Sequence, residues 1–170
     1  MNAQTERHMV AGPVGQLEVL IDRPPERPRG HALIAHPHPL FGGTMDNKVV
    51  QTLARACAAA GWDCLRFNFR GVGASEGVYD EGRGETEDVL ALVAQLAADR
   101  PLVLAGFSFG AFVTCQAVQA LWPSGRVKKI VLVSTAVSHF PATPLPTEAG
   151  EARLVIHGES DDTVALSAVM

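Results

Sequence analysis

Apolar positions along the chain fall into short, nearly unbroken runs at 31–35 (HALIA), 64–69 (CLRFNF), 102–105 (LVLA), 130–134 (IVLVS) and 154–157 (LVIH). Such runs suit strands buried on both faces. Between them, 46–60 (DNKVVQTLARACAAA), 85–99 (ETEDVLALVAQLAAD) and 111–121 (AFVTCQAVQAL) carry apolar residues at helical spacing. The first of these opens on an acidic, N-cap-like Asp46 and stops at Gly61; the second carries three acids near its start, matching a helix dipole. Ahead of this rhythm lie two β-like stretches around Gly12 and Gly15, the clearer at 17–21 (LEVLI), then a proline-rich connection at 23–29 (RPPERPR). They predict an opening hairpin and a rigid loop. Strand and helix in alternation predict an α/β fold, a mostly parallel sheet with helices on both faces and ligands bound beyond the carboxyl ends of its strands. The chain shows no other internal repeat. Residues 140–146 (FPATPLP) read as a loop or small lid stiffened by proline.

Composition narrows the class. A chain of 170 residues suits one domain, and 47% hydrophobic against 19% charged residues leaves little room for disorder. A net charge of -4 with scattered Lys and Arg excludes the basic stripe of a nucleic-acid surface. Cys57, Cys64 and Cys115 show no C-x-x-C spacing, so neither a disulfide framework nor a zinc site is expected. Residues 1–10 lack a signal-peptide apolar stretch, and no run approaches a membrane span. The expectation is a soluble cytoplasmic protein, with no membrane or nucleic-acid partner.

The chemistry concentrates at 106–110, Gly-Phe-Ser-Phe-Gly, between an apolar strand and a helical segment. A G-x-S-x-G turn in that setting exposes a strained serine, and it nominates Ser108 as nucleophile, with Gly106 and Gly110 letting strand and helix nearly touch. A serine hydroxyl needs a base, a carboxylate to orient that base, and N–H donors for the oxyanion. The carboxylate candidate is Asp161, in 157–164 (HGESDDTV), with Asp162 as runner-up; it follows the last strand and lies downstream of the serine. The oxyanion donors are the backbone N–H of Phe109 and one from the loop at 36–44 (HPHPLFGGT). Pro37 and Pro39 have no N–H, which leaves His38 or Leu40.

Other patterns carry less. Gly71, Gly73 and Gly77 fail the dinucleotide spacing, because Glu76 stands where the third glycine belongs. Arg70 and those glycines are expected at the pocket rim, and Phe107, Phe109 and Phe112 in the core or pocket wall. His36 and His38 lie at the right end of the sheet to approach Ser108, with loop shaping as their plainer role. A three-histidine zinc site from His36, His38 and His139 rests on weak spacing.

Residues 36–50 (HPHPLFGGTMDNKVV), 66–77 (RFNFRGVGASEG), 106–110 and 157–164, taken in this order, resemble the α/β-hydrolase superfamily, in particular its small, lid-poor bacterial serine hydrolases. The resemblance spans nearly the whole chain. It implies a cofactor-free hydrolase of small-molecule ester-like or related acyl substrates, with Ser108 as nucleophile and Asp161 as acid. The family's base histidine follows the acid beyond a further strand; here His8, His31, His36, His38, His139 and His157 all precede Asp161. The resemblance therefore implies a single domain over 1–170 lacking the last strand and helix, C-terminally incomplete, with impaired activity. It also implies a sheet edge at 154–157 open to self-association. A non-catalytic binding protein that keeps the fold is the alternative.

Overall fold

The computed structural model describes residues 5–96, 98–137, 139–140 and 143–158. Its strands are β1 (Thr5–Gly12), β2 (Gly15–Asp22), β3 (His31–Ala35), β4 (Asp63–Phe67), β5 (Leu102–Phe107), β6 (Val127–Val133) and β7 (Arg153–Ile156). They form one sheet in the order β1-β2-β4-β3-β5-β6-β7. The opening hairpin joins antiparallel to β4, and every other pairing is parallel. The α-helices are α1 (Lys48–Ala59), α2 (Arg83–Ala94) and α3 (Phe109–Leu121), and short 3-10 turns lie at Pro39–Phe41, Trp122–Ser124 and Thr147–Ala152. The expected α/β class, hairpin and mostly parallel sheet are all present.

The apolar runs are continuous because each strand serves two cores. Leu33 and Ala35 of β3, with Leu102 and Leu104 of β5, pack with α2 and α3. Their alternating neighbours Ala32, Ile34, Val103 and Ala105 pack with Val50 and Ala54 of α1 on the other face. Period-two alternation thus divides each run between two covered faces. The hydrophobic triad Phe67, Phe69 and Phe109 is fully buried, with ring centroids 5.0 Å and 5.8 Å apart in edge-to-face contact. Among the described residues no helix is long and apolar enough to cross a membrane.

All three helix starts differ from the sequence expectation, α3 beginning at Phe109 rather than residue 111, and the first two for physical reasons visible in their caps. The N-cap of α1 is Asn47, whose Oδ1 accepts the Val49 N–H at 2.9 Å, so Asp46 stays outside the helix. Helix α2 begins at Arg83, two residues early, and its acids are not simply dipole partners. Glu85 is fully buried, its carboxylate accepting the N–H of Gly82 at 2.7 Å and of Asp80 at 2.9 Å. Asp88 is fully buried against Arg70, whose Nη2 donates to Oδ1 at 2.8 Å. Arg70 is therefore not a rim residue; its guanidinium lies inside, pinning the loop after β4 to α2.

The motif residues around 45 and 68 knit the loops on the carboxyl side of the sheet. Asn68 accepts the Met45 N–H at 2.9 Å and donates to buried Glu18 of β2 at 2.8 Å, and the Ala74 N–H reaches the same carboxylate at 2.9 Å. Burial opposes ionisation of Glu18, yet the Ala74 amide, the Asn68 side chain and the Arg7 guanidinium together hold its carboxyl below the usual carboxylate range. Arg66, also buried, binds Asp22 at 2.8 Å and the Met45 carbonyl at 3.0 Å. One polar lattice thus fixes where the 36–47 loop leaves β3.

Candidate active site

Strand β5 runs into Ser108 and α3 begins at the next residue, so the serine sits at the carboxyl edge of the sheet's centre. Its backbone, φ 56 and ψ -115, lies where non-glycine residues are rarely found. The strain is held from both sides. Ser108 N–H donates to Val133 of β6 at 2.9 Å, and its carbonyl accepts from Ala111 at 3.0 Å and Phe112 at 3.2 Å. A β-carbon on Gly106 would stand 2.3 Å from the Gly110 carbonyl oxygen, which is the near-touch of strand and helix that the sequence required. Ser108 is the N-cap residue of α3, but its side chain makes no capping hydrogen bond.

Phe109 is the first residue of a 13-residue helix, and the amides at a helix start have no carbonyl one turn earlier within it. Its N–H lies at the positive end of the α3 dipole, a suitable place for a developing oxyanion. Against the Phe109 ring stands His38, with ring centroids 4.9 Å apart. This contact brings the loop after β3 to the elbow.

His36 is fully buried and shapes that loop from within. The Phe69 amide donates to Nε2 at 3.1 Å, so the proton resides on Nδ1, which donates to the Pro37 carbonyl at 2.6 Å. Burial pushes its pKa down to about 4. With both nitrogens engaged, His36 is neither a base for Ser108 nor a metal ligand. His38 caps the 3-10 turn Pro39–Phe41: its Nδ1 accepts the Leu40 N–H at 3.2 Å, and its carbonyl accepts from Phe41 at 3.1 Å and Gly43 at 3.0 Å. Its Nε2 lies 3.2 Å from the Tyr79 hydroxyl. Of the two loop amides left open by the sequence, that of Leu40 is thus engaged by the His38 ring. Among the described residues, no three His, Cys, Asp or Glu side chains are grouped to hold a metal ion.

Beyond β6, Ser134 takes a φ of 42 and donates to the Ile156 carbonyl at 2.8 Å, while Ala136 reaches the Ser108 carbonyl at 3.4 Å. The 134–136 link therefore ties the end of β7 to the elbow. Between them Thr135 is 4% exposed, and its Oγ1 has no hydrogen-bond partner among the described residues. Asp161 and Asp162 lie outside the described residues. Tyr79 and Phe140 close on His38 with ring centroids 5.1 Å and 5.9 Å away; Phe140 opens the 140–146 segment read as a loop or small lid, whereas Tyr79 was not marked by any sequence motif. Phe140 also stacks on Phe112 at 4.8 Å, so the 140–146 segment begins against the helix that carries the elbow.

Similarity to known proteins agrees with this geometry. Residues 38–168 match the alpha/beta hydrolase fold family. An α/β serine hydrolase without lid from Xanthomonas campestris is similar over 99% of this chain and 78% of its own, with 35% identity and a TM-score of 0.86. An alpha-beta serine hydrolase homologue from Coxiella burnetii is similar over 96% of this chain and 78% of its own, with 38% identity and a TM-score of 0.82. An uncharacterised protein of Rickettsia prowazekii (strain Madrid E) is 41% identical over 112 residues, 63% of this chain. The chain spans about half the length of that curated relative, 47% of it. A strained serine between central strand and helix, a parallel sheet entered by a hairpin, and a family match over most of the sequence meet in one conclusion: the chain belongs to the α/β-hydrolase fold family.

Proposed function

We propose that the chain is a serine hydrolase of small-molecule ester-like or related acyl substrates, acting through an acyl-enzyme on Ser108. The observation that carries this most is the elbow: a serine held at φ 56 at the mouth of the sheet, with a hydroxyl spared from helix capping. Ser108 Oγ attacks the acyl carbonyl, its proton leaves to a base, and the leaving group departs as the tetrahedral intermediate collapses. Backbone N–H groups of Phe109 and of the 38–40 loop stabilise the oxyanion, with His38 favoured over Leu40 because the Leu40 amide already donates to the His38 ring. Asp161 is the acid that orients the base, with Asp162 as its neighbour in reserve. The scheme needs no cofactor and suits a cytoplasmic enzyme without a lid, as in the similar Xanthomonas protein.

The base is the weak member. All six histidines precede Asp161, and both ring nitrogens of His36 and of His38 are engaged. Loss of the histidine of a triad costs about 10⁶ in turnover, with roughly 10³ to 10⁴ over water remaining. The alternative is a binding protein that keeps the fold. Incubation with a fluorophosphonate followed by peptide mass mapping separates these outcomes. We expect an adduct confined to Ser108, absent in Ser108→Ala, and forming at least about 10³-fold more slowly than in a complete triad. Labelling at the full rate overturns the impairment, and no adduct on the folded protein overturns the hydrolase.

A further inference from the structure

We propose that Tyr79 is a positioning residue for the oxyanion loop: its hydroxyl accepts from His38 Nε2 and holds that ring in the Nε2–H tautomer, so that Nδ1 closes the turn at Leu40 and the His38 amide is left to face the substrate oxygen. The inference rests on Ser108 being the nucleophile, and its first step stands without it. A neutral imidazole carries one N–H and one lone pair. An amide can only donate, so the Leu40 N–H at 3.2 Å requires the lone pair on Nδ1. The ring proton is then on Nε2, and the Tyr79 hydroxyl at 3.2 Å must accept it.

The surroundings offer the ring little else. Phe41, Phe109 and Phe140 pack around it with centroids 4.7 Å, 4.9 Å and 5.9 Å away, and none accepts a conventional hydrogen bond. The titratable groups facing it are Tyr79, from the loop ahead of α2, and His139, from the segment after β6. Glu81 and Glu85 act on Tyr79 rather than on the imidazole. Burial, with His139 adding to it, keeps the His38 pKa below its ordinary value, which preserves the neutral ring at pH 7. Without the tyrosine hydroxyl, an Nδ1–H tautomer competes. Its proton points at the Leu40 N–H, the turn loses its side-chain cap and keeps only the Phe41 and Gly43 bonds to the His38 carbonyl, and the Leu40 amide is freed to compete with that of His38.

Tyr79 is the chain's single tyrosine, so a Tyr79→Phe variant removes one atom and no other phenol confuses the result. Long-range ¹⁵N NMR of histidine-labelled protein at pH 7 reads the tautomer directly. We expect His38 to carry its proton on Nε2 in the native chain and to become a tautomer mixture in Tyr79→Phe. Ser108 labelling by a fluorophosphonate then slows about tenfold at unchanged non-covalent affinity, less than the 10² to 10³ of losing an oxyanion donor outright. A proton on Nδ1 in the native protein overturns the proposal without reference to any variant, and an unchanged tautomer in Tyr79→Phe overturns the part assigned to the tyrosine. Failure of Ser108 to label at all sinks the hydrolase while leaving the NMR result to stand or fall alone.

Discussion

A β-carbon at residue 110 would lie 2.3 Å from the Ala35 carbonyl oxygen and 2.5 Å from that of His36, both backbone atoms of the strand end beside the elbow. Backbone cannot swing aside as a side chain can, so Gly110→Ala is expected to cost at least about 3 kcal/mol in urea unfolding. Gly150→Ala, whose added β-carbon would meet nothing within 4 Å, is the control and stays within about 0.5 kcal/mol. Equal stability of the two variants would show that helix and strand do not approach this closely. His36 makes a second residue-scale prediction, of opposite kind. Its folded pKa of about 4 lies below the ordinary 6.5, so the unfolded chain takes up the proton first as pH falls. Its contribution is fully present above about pH 6.5 and lost as pH falls towards 4, about 3 kcal/mol in all. Histidine NMR should find one imidazole titrating near pH 4, and a His36 resonance titrating near 6.5 would contradict the buried, doubly engaged ring. Ser108 was legible in the sequence because an elbow is a local event: two small residues and a strand-to-helix change within five positions. Tyr79 was not, since its partner is 41 positions away across α1 and β4, and its own loop has no period.

At the level of elements, the strands were readable to within a few residues and the helices less so, and the difference has a cause. A strand covered on both faces must be apolar throughout, which marks it plainly in the sequence. The acids opening α2 look the same whether they face water and a dipole or are buried under tertiary contacts, and here Glu85 and Asp88 are both fully buried. Arg70 and Asp88 join α2 to the loop after β4 through several charge-assisted bonds, including Arg70 N to Oδ2 at 3.0 Å. Removing one partner of such a pair strands a buried charge. Asp88→Ala is therefore expected to cost about 3 to 5 kcal/mol, and the double change Arg70→Met with Asp88→Leu much less than the sum of its parts. A double-mutant cycle in urea measures this. Additive single costs below about 1 kcal/mol would reduce the pair to a surface ornament and leave the loop after β4 without its anchor.

Across the whole molecule, burial is steeply graded from the sheet's centre to its sides. Every described side chain of β4 is buried, as are those of β3 after His31 and of β5 before Phe107, whereas β1 has only exposed or half-buried residues and β7 only exposed ones. The polar lattice of Glu18, Asn68 and Met45 adds to the central stiffness, joining β2 to the loops that carry His38 and Arg70. The hairpin itself was legible from its turn residues, but its docking against β4 was not, because Val19 to Asp22 pair with Phe67 to Cys64 across more than forty intervening positions. The same grading sets which parts open first. Amides of β3, β5 and the first half of α3 should exchange with solvent deuterium only through global unfolding, while those of β1 and β7 exchange through local opening with smaller free energies. Native-state exchange at rising urea distinguishes the two: the central amides converge on one denaturant-dependent isotherm, and the flanking strands follow shallow, nearly denaturant-independent ones. The elbow belongs to the first group, so the Ala111 and Phe112 amides, both bonded to the Ser108 carbonyl, should protect with β5. If β7 instead exchanged on the global isotherm, its connection to β6 and to Ser134 would have to be part of the central unit, and the strained serine would be supported from that side as firmly as from β3.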